Sequence, residues 1–213
     1  LVKAAGTFVD QSDRLSESQK PSLDRLSLED LVTGTTIGVY RNDRICGSGV
    51  ITEFLGKRYV VTANHVARPS STHFIRVRSL KDETEGYLED LVARDAESDL
   101  AIFTAPSALV HLPAVPLLDG EAPTGQPVYL SGFPHDHYHL TEGQVTGFKP
   151  RGQAMLHTAS SLGGTSGGML ITPSGELCGI HVGGTRPGSK DYPQNIAAPS
   201  TEIIRLIRKQ GQE

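Results

Sequence analysis

The chain has 213 residues, enough for one large β domain or two small barrels that share a cleft. Its net charge is −4, from 20 basic and 24 acidic side chains scattered without blocks, which argues against nucleic acid as a partner. No apolar run approaches the ~20 residues that cross a bilayer, and two cysteines, Cys46 and Cys178, are too few for a disulfide framework.

Each cysteine lies within an apolar strand pattern and reads as a buried free thiol, which favours a reducing compartment. The chain begins with Leu1, and its first residues do not read as a signal peptide, so the start reads as a processing product or the boundary of an expressed fragment. An intracellular location is expected, with secretion left open. Residues 1–34 read as a polar lead-in, either disordered or docked through a weak strip of Leu23, Leu26, Leu28 and Leu31.

From Thr35 the texture changes to short apolar runs split by turn residues. TTIGVY, RICGSGVIT, KRYVVTA, FIRVR, GYLEDLVAR and DLAIFT each have the length and pattern of a strand and place a first β-barrel over residues 35–112. A Pro/Gly-rich linker covers 113–125. PVYLSGF, HLTEGQVTGF, QAMLHTA, GMLIT, ELCGIHV and QNIAA then form a second barrel over 126–199. The expected class is all-β, two six-stranded antiparallel barrels with a cleft between them. Residues 200–213 read as a helix and tail. Ser200 or Thr201 would cap the helix, and Ile203, Ile204, Leu206 and Ile207 form a stripe facing a barrel.

Three short motifs carry the chemistry. TANHVA puts His65 just after a strand, SDLAIF puts Asp99 at the start of another, and GGTSGG puts Ser166 in a glycine run of the second barrel. A serine hydroxyl is a poor nucleophile at neutral pH and needs an imidazole to take its proton. The imidazole in turn needs a carboxylate on its other nitrogen to fix tautomer and orientation. The glycine run, which alone reads equally as a flexible loop, suits a tight turn that aims the N–H groups of Gly164 and Ser166 at a developing oxyanion.

The order His, Asp, Ser with TANHV, SDLAIF and GTSGG resembles the chymotrypsin-like serine proteases, over roughly residues 35–199. The compact, disulfide-free branch is the nearest in pattern: glutamyl endopeptidases, HtrA-type proteases and plus-strand RNA virus proteases of the sobemovirus kind. The resemblance implies that His65 is general base and acid, that Asp99 orients it, and that Ser166 attacks the scissile carbonyl. It implies no cofactor. Thr165 departs from the family, standing where many relatives carry Asp or Asn; activation by a freed N-terminus salt-bridged to that acid is therefore not expected.

Substrate choice is expected to rest on the second barrel. In glutamyl endopeptidases and several viral proteases a histidine in a GxHxGG-like strand lies in the pocket for the residue preceding the cut. His181 matches it, and its imidazole would donate to a carboxylate, more strongly if charged. The other reading of His181 is a core histidine satisfied by backbone. By the same resemblance Ser161, with Ser160 next, supplies a hydroxyl on the far wall and Asn195 completes the pocket. Gly183 and Gly184 offer the backbone edge that pairs with an extended peptide. His157 lines the pocket or merely packs. His135, His137 and His139 alternate and would share a strand face, but no further ligand is evident, so no metal is assigned.

These features point to a serine endopeptidase cleaving after glutamate in a peptide or polyprotein, with viral polyprotein processing as the expected setting. Glu213, the last residue, then has the side chain found before such a cut. The alternatives are an HtrA-like or secreted bacterial peptidase, and a catalytically silent, peptide-binding copy of the fold.

Overall fold

The computed structural model describes residues 20–41, 43–68, 75–134, 137–149, 154–184 and 194–211. Residues 1–19 of the lead-in, His135 and Glu213 lie outside the described residues.

The expected lead-in carries a helix, α1 (Arg25–Thr35). Asp24 caps it by accepting the Ser27 N–H at 2.8 Å, and one turn apart Leu28 and Val32 are buried. Of the leucine strip, Leu28 and Leu31 pack on the core, whereas Leu26 faces solvent. The strip docks.

Helix α1 runs straight into the first sheet: β1 (Thr36–Arg41), β2 (Arg44–Phe54), β3 (Lys57–Ala63), β4 (Ile75–Ser79), β5 (Glu85–Leu88), β6 (Leu91–Asp95), β7 (Leu100–Thr104) and β8 (Val115–Pro116). The path is β5-β4-β1-β2-β3-β7-β6, an open half-barrel, with β8 parallel to β2. GYLEDLVAR, expected as one strand, is two. At Glu89 and Asp90 the chain turns a corner, where the Thr104 N–H donates to Asp90 O, so β5 and β6 end up at opposite ends of the path. The linker also does more than connect, since the Thr52 hydroxyl holds Val115 O at 2.7 Å and draws β8 onto β2.

The second set closes into a six-stranded barrel in the order β10-β11-β14-β13-β12-β9. Its members are β9 (Pro127–Gly132), β10 (His139–Phe148), β11 (Met155–His157), β12 (Met169–Ile171), β13 (Leu177–Gly184) and β14 (Asn195–Pro199). Each of the six runs read from the sequence supplies one strand.

Strand alternation divides the apolar residues among three clusters. Ile51, Val60, Ala101 and Phe103 fill the half-barrel; Leu130, Val145, Met155, Leu170 and Ala197 fill the closed barrel. Their neighbours Val50, Val61, Ile102, Met169 and Ile171 face the other way and meet in a third cluster shared by both sheets. That seam fixes one sheet against the other and so sets the cleft.

Helix α2 (Ser200–Gln210) adds Ile203, Leu206 and Ile207 to the shared cluster, packing on both sheets rather than the second barrel alone. Its cap also differs from expectation. Pro199 occupies the N-cap, and the Ser200 hydroxyl, already inside the helix, donates to Leu118 O at 3.0 Å. The serine thus ties the helix to the linker instead of closing its own first turn. Among the described residues no helix is long and apolar enough to cross a membrane. Cys178 is buried, with its Sγ donating to Leu170 O, and Cys46 is half-buried.

Candidate active site

His65 lies in the turn that follows β3, and Asp99 in the tight turn between β6 and β7. Asp99 has φ 55°, a left-handed conformation uncommon outside glycine but one that Asp tolerates. The turn is braced from within, as Ser98 gives both its N–H and its hydroxyl to Asp95 Oδ2, at 2.8 and 2.6 Å. Asp99 then holds the histidine twice. Its Oδ1 accepts the His65 backbone N–H at 2.9 Å, and its Oδ2 sits 2.6 Å from His65 Nδ1. A carboxylate only accepts, so Nδ1 carries the ring proton and Nε2 presents a lone pair. An imidazole in that tautomer is a general base on its free side.

Ser166 sits in two successive turns. Thr165 N–H donates to Leu162 O at 3.1 Å, Thr165 Oγ1 accepts Leu162 N–H at 3.2 Å, and Gly168 N–H donates to Thr165 O at 2.8 Å. The threonine that departs from the family pattern is therefore the internal staple of the loop. Gly164 (φ 99°) and Gly167 (φ 84°) supply the left-handed angles. A Cβ on Gly167 would overlap Ser48 O, so backbone approaches backbone there. Among the described residues neither Gly164 nor Ser166 gives its N–H to a protein acceptor, which leaves both available to an oxyanion.

The loop is held from the opposite sheet by one residue of β2. Ser48 N–H donates to Ser166 O at 2.8 Å, and its hydroxyl donates to Gly164 O at 3.0 Å while accepting Phe133 N–H at 2.9 Å. The adjacent Gly47 shows how near the two motifs come. A Cβ there would lie 2.6 Å from the Val66 side chain and 2.8 Å from Ser166 O. The histidine turn and the serine loop thus meet across β2. Among the described residues no hydrogen bond joins Ser166 to His65, and such bonds commonly close only once substrate is bound. Ser48 was not singled out in the sequence; its only local signal is a small residue between two glycines.

A cavity of about 410 Å³ opens beside the loop, lined by Ser160, Ser161, Thr165 and Asn195, with His139 at its side. Ser161 Oγ donates to Asn195 Oδ1 at 2.8 Å, and Asn195 Nδ2 donates to Ala159 O at 2.6 Å, so the asparagine is locked in place. The pocket candidates Ser161 and Asn195, assigned from distant stretches, are in direct contact. Ser160 is exposed and uses its carbonyl to accept from Thr141. Among the described residues no three His, Cys, Asp or Glu side chains cluster as metal ligands.

His181 flanks the loop through its backbone, accepting the Gly167 N–H and donating to Gly168 O, both at 2.8 Å. Beyond it, Gly183 and Gly184 pair with β14, whereas β12 reaches only as far as Ile180, so among the described residues that edge of 182–184 has no strand beside it. The His181 ring is not satisfied by backbone. Its Nδ1 lies 3.2 Å from His157 Nε2, with the two rings edge to face. Cross-strand register explains the meeting: His181 pairs with Ala197, Met155 pairs with the same Ala197, and His157 follows Met155 by two on the same face. Burial, followed by the charge of His65, pushes His181 down to about 4; burial and then His181 push His157 to about 3. At neutral pH both rings are uncharged in the free protein, so the added strength of a charged donor is absent there.

The chain as a whole is similar to known proteins. The family described as a trypsin-like peptidase domain matches residues 47–180. The serine endoprotease DegS of Salmonella typhimurium is 31% identical over 148 residues, 65% of this chain and 40% of the relative. The glutamyl endopeptidase of Staphylococcus aureus is 28% identical over 156 residues, 64% of this chain and 42% of the relative. The chain thus spans about two fifths of the length of these relatives. Among solved structures, the serine endoprotease from Yersinia pestis superposes with a TM-score of 0.68 at 25% identity, covering 85% of this chain and 66% of that one.

Proposed function

The chain belongs to the trypsin-like peptidase family, and from that premise we propose that it is a serine endopeptidase cutting peptides after glutamate, with His65, Asp99 and Ser166 as its catalytic residues. The observation that carries the reading is the double hold of Asp99 on His65, which fixes ring tautomer and turn at once.

In this mechanism His65 Nε2 takes the proton of Ser166 Oγ as the Oγ–carbon bond forms. The carbonyl electron pair moves onto oxygen, where the N–H groups of Gly164 and Ser166 receive the negative charge. Collapse breaks the carbon–nitrogen bond, and His65 gives its proton to the departing amine. Water then gives a proton to His65 and its oxygen to the acyl carbon, and Ser166 leaves as alcohol after taking that proton back.

Support for glutamate comes from the lining. Ser160, Ser161, Thr165 and Asn195 line the cavity with hydrogen-bonding groups, His181 flanks the same loop from β13, and the Staphylococcus aureus relative is named for glutamyl cleavage. The edge of Gly183 and Gly184, without a strand among the described residues, suits an extended substrate added as a strand. The similarity to DegS favours a second reading, an HtrA-like protease preferring small apolar residues. The relatives named above are bacterial, and the resemblance to virus proteases has no counterpart among them, so polyprotein processing is not part of the proposal. Peptides differing only in Glu, Gln, Ala or Val before the scissile bond separate the readings. A kcat/KM highest for Glu and abolished in Ser166→Ala supports the proposal; a preference for Ala or Val transfers it to the HtrA-like reading.

A further inference from the structure

We propose that His157 is a positioning residue for the specificity pocket: its Nε2–H donates to Nδ1 of His181, fixing His181 in the tautomer whose Nε2–H is offered to an oxygen of the substrate side chain. The inference rests on the reading of His181 as the group that meets the residue before the cut.

The argument is one of accounting for hydrogens. His157 is fully buried and His181 retains 3% of its surface, with one ring nitrogen of each facing the other at 3.2 Å. Two charged rings would oppose donor to donor and are excluded by burial. Two neutral arrangements fit the contact. If His181 donated from Nδ1, His157 would carry its own proton on Nδ1, an atom buried without a partner among the described residues. That arrangement strands a buried donor and leaves His181 Nε2 as a bare lone pair, which repels a carboxylate. If His157 donates instead, only a lone pair on its Nδ1 goes unfilled, and unfilled buried acceptors are better tolerated than orphaned N–H groups.

The remaining His181 nitrogen has no partner among the described residues, so it is free to serve the substrate. From β11 the ring faces His157, and from the turn after β3 it feels His65; no carboxylate is among the groups that shift it. His181 therefore offers a neutral N–H. Such a donor accepts the carboxylate of glutamate and, more weakly, the carboxamide oxygen of glutamine. It gives nothing to alanine.

Two measurements test the proposal on the whole chain. The first is the imidazole nitrogen NMR spectrum of the native protein near pH 7, which reports the tautomer without any variant. His181 protonated on Nε2 and accepting on Nδ1 is expected; His181 protonated on Nδ1 overturns the proposal. The second compares Glu, Gln and Ala peptides in His157→Met and His157→Gln. Removing the donor should lower kcat/KM for Glu and Gln peptides by about 10- to 100-fold, the loss typical of a hydrogen bond to a charged group, with the Ala peptide within about 2-fold. His157→Gln, whose amide can donate, should recover part of the loss. A folded His157→Met with unchanged Glu/Ala discrimination also overturns the proposal. A native protein with the expected tautomer but no preference for Glu sinks the glutamyl reading instead, so the two failures are distinguishable.

Discussion

At the scale of single residues, Asp99 constrains His65 through ring and backbone together, while Ser166 waits on a separate loop. If the three act as one unit, Ser166→Ala should lower kcat by on the order of a millionfold, and His65→Ala nearly as much. Asp99→Asn should cost about ten-thousandfold, because an amide at Oδ2 can turn the ring to the wrong tautomer. Progress curves with a fluorogenic Glu peptide check all three; a fully folded Ser166→Ala enzyme retaining a few per cent of activity contradicts the assignment. A second residue-scale prediction concerns pH. In the unfolded chain His157 and His181 bind protons near 6.5, whereas folded they stay neutral down to about 3 and about 4. Between those values the unfolded state holds more protons, so stability is full above about pH 7 and falls on acidification. The slope is at most about 1.4 kcal/mol per pH unit for each histidine. Urea melts at pH 7 and pH 5 should show the loss, and His181→Gln should make it shallower.

At the scale of elements, Ser48 shows what a linear reading misses. Its hydroxyl reaches a carbonyl 116 positions away, and nothing in GSG announces that partner. Ser48→Ala would strand Gly164 O and Phe133 N–H and loosen the loop that carries both proposed oxyanion donors. The expected result is a kcat lower by about 10- to 100-fold with KM within about 2-fold; equal loss in both parameters, or none, argues against a role in the transition state. His157 was equally hard to weigh from sequence, since it matters only through register around a closed barrel. The six strands of that barrel were legible because each is a short apolar run bounded by turn residues. Helix α1 was not, because it follows a Ser-, Asp- and Gln-rich stretch, ends in Thr33, Gly34 and Thr35, and presents only Leu28, Leu31 and Val32 to the core. Packing, not propensity, makes it a helix. The three motifs were legible because His65 and Asp99 each sit beside a strand end and Ser166 in a glycine run, each with a short signature.

At the scale of the whole molecule, the shared cluster does for the cleft what Ser48 does for the loop. Val50, Ile102, Met169, Ile180 and the Ile203, Leu206 and Ile207 face of α2 pack together, so neither sheet can shift without opening a core. Ile203 is fully buried there, and Ile203→Ala should cost about 2–5 kcal/mol. Because the seam also aligns the His65 turn with the Ser166 loop, kcat should fall well below its native value under conditions where the variant is still folded. A variant with lowered stability and native kcat would show that the seam serves folding alone. The central claim is that a Ser166 nucleophile in this cleft cuts after glutamate. Its most direct measurement is digestion of a proteome-derived peptide library by the native protein and by Ser166→Ala, with new termini read by mass spectrometry. The account predicts cuts concentrated after Glu with the native protein and none with the variant. Cuts that persist in Ser166→Ala, or native cuts that fall after small apolar residues, would contradict it.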